Sequence, residues 1–264
     1  MVKDVQVQNS TEKRSEDLIF ESYEHSKRSG VSYGNQINIV MQSLMIGGKE
    51  LTDRMTEQYW SRFADTYDRN MEYVVGKSLL YQITEELNHL PKQGKVVELG
   101  CGTGYFTKTM GQKSQTIMAT DLSDSLLEAA RKRLGECPNV GIQKENCMET
   151  SFPAEAFDCV FMANLIHVVE SPGEALHECH RILRRGGNLI IVTFTGHGMK
   201  LWERIKMGLR FVKSWGKPPA HTHSFSPEGL ASIMEDAGFV IKTSKLIGDK
   251  TKALYLIARK DGTA

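Results

Sequence analysis

The chain of 264 residues has no stretch approaching the ~20 consecutive apolar residues that a membrane-spanning helix needs. Its opening, MVKDVQVQNSTEKRSED, lacks the apolar core of a secretory leader. There is no excess of charge either: 33 Lys and Arg stand against 32 Asp and Glu. That balance lacks the electrostatic footprint of a general nucleic-acid binder, though it leaves room for a local basic patch. Cysteine is sparse. Cys101, Cys137, Cys147, Cys159 and Cys179 are scattered, odd in number and never spaced C-x-x-C. Neither a disulfide framework nor a cysteine-rich zinc site is expected, and no metal. Free thiols suit a reducing compartment, so a cytoplasmic protein is expected. What is present is ordinary for a globular protein, with 40% apolar and 25% charged residues. The length suits one large α/β domain with an insertion.

Residues 1–30 are polar with little periodicity and are expected to be frayed. Val31, Tyr33, Ile37, Ile39, Val40, Leu44, Met45 and Ile46 form an apolar cluster that would not stay in water alone. It is expected to dock on the main body or on a second subunit, making residues 1–54 an extension and a homo-oligomer a candidate state. From Met55 onward helix and strand alternate. Met71, Val74, Val75, Leu79, Ile83, Leu87 and Leu90 recur at helical spacing up to Pro91. Strands are expected at Lys95–Leu99, Thr116–Thr120, Val140–Lys144, Asp158–Met162 and Asn188–Thr193. Helices should start near Tyr105, after Ser123 (ending at Gly135), at the capping box Ser171-Pro172-Gly173-Glu174 (ending at Gly186-Gly187) and at Ser226-Pro227 (ending at Gly238). Such repeats predict a parallel, doubly wound sheet. Phe239–Leu246 and Ala253–Arg259, joined through Gly248-Asp249, should close it with an antiparallel hairpin. Residues 196–224 are too long for a simple connection. Their Met199, Leu201, Trp202, Ile205, Met207, Leu209, Phe211, Val212 and Trp215 suggest an amphipathic helix acting as a lid on the ligand side of the sheet.

The chemistry is carried by Val97-Glu98-Leu99-Gly100-Cys101-Gly102-Thr103-Gly104-Tyr105-Phe106, between a strand and a helix. Glycines there allow a tight turn and close approach of backbone to a ligand. The spacing is G-x-G-x-G, and Tyr105 replaces the third glycine of a nicotinamide dinucleotide fingerprint. Glu98 would repel phosphates and suit a cationic ligand. Asp121, at the end of the second strand, can accept hydrogen bonds from two ribose hydroxyls. A ribose, a positive charge and no phosphate together describe S-adenosylmethionine.

The run E-L-G-C-G-T-G resembles motif I of the class I S-adenosylmethionine-dependent methyltransferases, small-molecule type, the group of ubiquinone and menaquinone biosynthesis. The resemblance extends over residues 55–260. Trp60-Ser61-Arg62-Phe63-Ala64-Asp65-Thr66-Tyr67-Asp68 resembles the lead-in helix W-x-x-x-A-x-x-Y-D. Ala156-Phe157-Asp158-Cys159-Val160 resembles the fourth strand, Arg181-Ile182-Leu183-Arg184-Arg185-Gly186-Gly187 the R-V-L-K-P-G-G turn, and Phe225-Ser226 through Ala237-Gly238-Phe239 the last helix. The resemblance implies a Rossmann-like, doubly wound, mostly parallel seven-stranded sheet with a C-terminal antiparallel hairpin. It also implies methyl transfer from S-adenosyl-L-methionine to a small, partly apolar acceptor at oxygen or nitrogen first, carbon second. Gly100, Gly102 and Gly104 should contact the methionine end, Asp121 the ribose and Leu122 the adenine. Asn146-Cys147 stands where the family has Asp-Ala. An Asn carbonyl still accepts the adenine amino hydrogen bond, without the charge. Ala163-Asn164 should line the site beneath the methyl.

Each candidate has a plainer alternative. Methyl transfer needs a base only where the acceptor must lose a proton. His167, just after the fourth strand, is the candidate base, or else packs on the cofactor or caps a helix. Tyr67 and Tyr59 either touch the ligands or pack as aromatics. Cys101 is a loop residue packed tightly, or a nucleophile. His177, Cys179 and His180 share one helix and read as surface and packing. His221-Thr222-His223 reads as a loop that contacts substrate, or nothing, rather than a metal site. Arg204, Lys206, Arg210, Lys213 and Lys217 read as a solvated helix face. Rival functions are an S-adenosylmethionine-binding cyclase, a non-catalytic binding partner, and an RNA or protein methyltransferase. Ala163-Asn164-Leu165-Ile166 stands in place of the N-P-P-Y tetrad that methylation of base amino groups would need.

Overall fold

A computed structural model describes residues 56–219 and 222–261. The expected extension at 1–54 and His221 lie outside the described residues. Seven strands form one sheet: β1 (Gln93–Leu99), β2 (Ser114–Asp121), β3 (Val140–Lys144), β4 (Phe157–Ala163), β5 (Leu183–Thr195), β6 (Phe239–Ile247) and β7 (Lys252–Lys260). Their order is β3-β2-β1-β4-β5-β7-β6. The first five are parallel, and β7 is antiparallel to both β5 and β6. The sheet is thus Rossmann-like and mostly parallel, closed by an antiparallel hairpin.

The helices are α1 (Tyr67–Val75), α2 (Lys77–Asn88), α3 (Thr107–Lys113), α4 (Asp124–Leu134), α5 (Pro172–Ile182), α6 (Leu201–Trp215) and α7 (Pro227–Asp236). Residues 56–61 are helical as well. Successive strand residues feed opposite faces, as a period of two requires. Val96, Ile117, Phe161 and Val192 pack under α1, α2 and α3. Val97, Val160, Leu189 and Leu256 pack under α5 and α7. Burial on both faces explains why these strands read as continuous apolar runs. Three helix starts are fixed by side-chain caps: Ser123 accepts the Leu126 N–H, Ser171 the Glu174 N–H and Ser226 the Gly229 N–H.

Three local expectations differ. The apolar period over 71–90 is two helices, broken at Gly76, whose φ of +89° and ψ of 142° no L-residue adopts comfortably. The helix expected near Tyr105 begins at Thr107, because residues 102–106 remain in turns. The helix expected to reach Gly186-Gly187 ends at Ile182. Leu183 is fully buried and pairs with Phe157, so the ladder takes over the chain there. Gly187 then lies where a Cβ would come within 2.9 Å of the Asp158 carbonyl oxygen.

Candidate active site

β1 runs into the glycine loop at the carboxyl end of the sheet, where open α/β sheets bind ligands. Gly100, Gly102 and Gly104 all have positive φ, at 70°, 54° and 77°. A Cβ on Gly100 would strike Leu165 at 2.7 Å, and one on Gly104 would strike Leu134 at 2.8 Å. These two glycines allow close packing of the loop. Gly102 differs: a Cβ there would meet only Tyr67, at 3.9 Å. The backbone of Gly102 therefore borders open space roofed by an aromatic ring.

Asp121 organises the loop. Its Oδ2 accepts the Gly102 N–H and its Oδ1 the Ser123 N–H, each at 2.9 Å. Burial pushes its carboxyl up, against the backbone donors of Ser123, Gly102 and Leu122. With about four acceptor sites on a carboxylate, these three donors leave room for a further one. Glu98 is 1% exposed, and its Oε2 has no hydrogen-bond partner among the described residues. Burial raises its carboxyl to about 8, helped by the nearby Asp121 charge and opposed by the Thr107 hydroxyl. A buried carboxylate without a cation is costly, and a cationic ligand offsets that cost.

The lead-in segment is tied to this loop by contacts that the sequence did not suggest. Thr103 Oγ1 donates to Asp68 Oδ1 at 2.6 Å. Arg133 pairs with Asp68 and donates to the Thr103 carbonyl oxygen at 3.1 Å. The Ser61 and Ser123 hydroxyls share a hydrogen bond at 2.7 Å. The Tyr-Asp pair of the lead-in helix was the available signal, because an Asp beside a ligand-facing Tyr can reach the loop below.

A cavity of about 330 Å³ lies beside Tyr67, the ring that faces Gly102. Met71, Val74 and Val75 of α1 form one wall, and Met207, Phe211 and Trp215 of α6 another. Tyr67, Asn164 and His167 line the same space. Asn164 has a φ of 57°, and its Oδ1 is buried without a partner. Trp215, 7% exposed, has a buried Nε1–H without a partner. The Trp215 ring lies 6.0 Å from Trp60, edge-on, and 6.0 Å from Tyr67, tilted, and its carbonyl accepts the Tyr59 hydroxyl at 3.0 Å. Asn70 Nδ2 donates to the Ser214 carbonyl at 3.3 Å. Tyr59 is thus a tether for α6.

His167 Nδ1 lies 2.8 Å from the hydroxyl of Thr193, a fully buried residue. The His167 carbonyl accepts the His223 N–H at 2.8 Å. Burial, with the neighbouring His223, lowers the His167 imidazole to about 4. It is therefore neutral over the physiological range. If Nδ1–H donates to Thr193, Nε2 is bare to take a proton; if the Thr193 hydroxyl donates to Nδ1, Nε2 carries the hydrogen.

The structure brings Tyr67, Glu98, Gly100, Cys101, Gly102, Gly104 and Asp121 together around the loop, and Tyr67, Asn164 and His167 around the cavity. Burial pushes the Cys101 thiol well up, which leaves it packed rather than nucleophilic. Ala163 ends β4 at 9% exposed, and Leu122 is half-buried after β2. Asn146 and the half-buried Cys147 follow β3, and Asn146 Oδ1 accepts the Met148 N–H at 3.0 Å. His177 is exposed, Cys179 is buried and His180 packs edge-on against Phe239. Trp215, Thr193 and Asp68 are the additions that sequence reasoning did not make.

A Rossmann-like sheet with a G-x-G-x-G loop and an acidic residue ending β2 defines a class of nucleoside-binding α/β proteins. Within it, residues 97–191 match a methyltransferase domain family. The ubiquinone/menaquinone biosynthesis C-methyltransferase UbiE of Pseudomonas putida is 31% identical over 179 residues, covering 60% of this chain and 70% of that protein. The malonyl-[acyl-carrier protein] O-methyltransferase of Legionella pneumophila is 32% identical over 139 residues, covering 51% of this chain and 48% of that protein. The chain thus spans about half the length of the Legionella relative. A solved S-adenosylmethionine-dependent methyltransferase of Thermotoga maritima shares the fold, with a TM-score of 0.62 and 24% identity, covering 77% of this chain and 99% of that one. The chain belongs to the class I S-adenosylmethionine-dependent methyltransferases.

The cofactor of that family is S-adenosylmethionine, and the residues present fit it. Glu98 Oε2, without a partner among the described residues, suits its positive charge, the Asp121 carboxylate suits a ribose hydroxyl, and the open side of Gly102 leaves room for the ligand.

Proposed function

We propose that this chain transfers a methyl group from S-adenosylmethionine to a small, partly apolar acceptor. The observation that carries this reading is the apolar cavity beside Tyr67, the residue that roofs the open side of Gly102. When bound, the cofactor supplies an electrophilic methyl group on a sulfonium. Gly100, Gly102 and Gly104 hold its methionine end, Asp121 the ribose, and Leu122, Asn146 and Cys147 the adenine. Ala163 and Asn164 face the methyl, and residues 196–224 act as a lid that excludes water.

Much of the rate then comes from holding donor and acceptor in line. Trp215 Nε1–H and Asn164 Oδ1 are a donor and an acceptor with no partner among the described residues. They suit an acceptor molecule that carries an oxygen and a polar hydrogen on an otherwise apolar frame. His167 accepts the proton lost by an oxygen or nitrogen acceptor, and for a carbon acceptor it takes the proton of the activated position. The relatives include both an O- and a C-methyltransferase, so both chemistries belong in the test.

Purified protein is incubated with S-adenosylmethionine and a panel of phenols, quinols and acyl carboxylates, and S-adenosylhomocysteine is followed by mass spectrometry. Methylated product with stoichiometric S-adenosylhomocysteine supports the reading. Converted substrate without S-adenosylhomocysteine overturns it in favour of a cofactor-bound rearrangement.

A further inference from the structure

Helix α6 has three faces. Met207, Phe211 and Trp215 turn to the cavity. Leu201, Trp202, Ile205, Leu209 and Val212 are 71%, 63%, 43%, 67% and 56% exposed. At 3.6 residues per turn these five fall within one arc of about 100°. Lys206, Arg210 and Lys213 follow on the next arc. Lys206 Nζ lies 5.5 Å above the Trp202 ring, and Arg210 and Lys213 lie 5.8 and 5.7 Å from the ring of exposed Tyr73. Residues 200–217 hold six basic residues, Lys200, Arg204, Lys206, Arg210, Lys213 and Lys217, against the single acid Glu203.

A solvated helix face accounts for the lysines and arginines but not for the apolar ridge. Single exposed apolar residues are common, whereas a contiguous row on one helix marks an interaction surface. We propose that α6 docks this protein on an anionic lipid surface, with the ridge in the headgroup–acyl boundary and the basic arc on the phosphates. An apolar ridge bearing Trp beside a Lys/Arg flank is the pattern of a helix that lies in a membrane interface. A second copy paired about a two-fold axis would set the basic arc against itself. A nucleic acid would leave the ridge without a partner. Val212 belongs both to the ridge and to the cavity wall, so the docked face borders the cavity. Given the methyl-transfer reading, on which this last step alone rests, the acceptor is an apolar molecule taken up from the bilayer.

The test is co-sedimentation of the full chain with vesicles of phosphatidylcholine alone or mixed equally with phosphatidylglycerol. Binding to the mixed vesicles, weakened by salt, is expected. Trp202→Glu with Leu209→Glu should lower partitioning about tenfold or more, since burial of either side chain is lost. Lys206→Glu with Lys213→Glu should lower binding to mixed vesicles by about fivefold per charge. Both variants should keep the wild-type thermal midpoint and affinity for S-adenosylhomocysteine, which separates docking from folding and from the cofactor site. Wild-type protein that ignores both vesicles overturns the proposal. So do folded variants that bind as well as wild type, or a dimer that Leu209→Glu dissociates while no vesicle is bound. Vesicle binding is read without turnover, so failure of the methyl-transfer reading leaves this result intact.

Discussion

The carboxylate of Asp121 accepts the backbone N–H of Gly102 at 2.9 Å, so the residue assigned to the ribose also holds the loop assigned to the methionine end. One side chain therefore links the two parts of the proposed cofactor site. Asp121→Ala should weaken S-adenosylmethionine binding by about tenfold to a hundredfold, the loss expected when hydrogen bonds to a charged group are removed. Asp121→Asn, which can keep one acceptor, should lose less. Titration calorimetry of the three proteins checks this, and equal affinity in all three would remove Asp121 from the site.

Glu98 should make the apoprotein less stable as pH rises. Its folded value of about 8 lies above its ordinary 4.5. Between those values the folded state binds more protons than the unfolded state, so stability falls with pH across that window. Glu98→Gln should flatten the decline and weaken cofactor binding. Thermal melts of both proteins from pH 5 to 9, set against the window predicted for Glu98 by linkage, read the first effect. A wild-type slope that survives the substitution would assign the decline to another group.

His167 acts in the opposite direction. Its folded value of about 4 lies below the ordinary 6.5, so the unfolded state binds more protons between them and stability rises with pH there. His167→Gln should remove that rise. It should also lower kcat by about a hundredfold to ten-thousandfold if it serves as the base, with cofactor affinity unchanged. Thr193→Val tests the positioning role of the hydroxyl. It should lower kcat less than His167→Gln and shift the acid limb of the pH–rate profile, whereas a purely structural Thr193 would leave that limb in place.

Gly76→Ala should cost about 1–3 kcal/mol, because a Cβ at φ +89° is strained although nothing lies within 4 Å of it. Urea unfolding measures the loss. An unchanged midpoint would show that α1 and α2 can merge into one helix.

Vesicle binding depends on which side of α6 meets solvent. The basic residues of α6 were visible in the sequence, but the exposure of Leu201, Trp202 and Leu209 beside them was not. Apolar residues at helical spacing read as a buried face unless packing shows which of two apolar arcs meets the core. Here α6 has one arc on the cavity and another on solvent.

Strand positions were legible to within a few residues, because a run such as Leu189-Ile190-Ile191-Val192 has few environments other than a sheet covered on both faces. Gly76 was harder to read, since glycine is tolerated inside a helical period and only its φ shows the break. The end of α5 was misplaced for a related reason. Leu183 pairs with Phe157, a residue 26 positions away, and local glycine punctuation does not report such a partner.

Motif I, the acid after β2, the caps and the alternation of helix and strand are local patterns, and local chemistry was enough to specify the fold and its cofactor class. The partners of Asp68, Thr193 and Trp215 come from distant segments. Which buried polar atoms are satisfied, how far a carboxyl or imidazole is displaced by burial, and which side of α6 meets water depend on packing between those segments. Only the tertiary structure decided these, because desolvation and pairing are properties of the space around a side chain rather than of its neighbours along the chain.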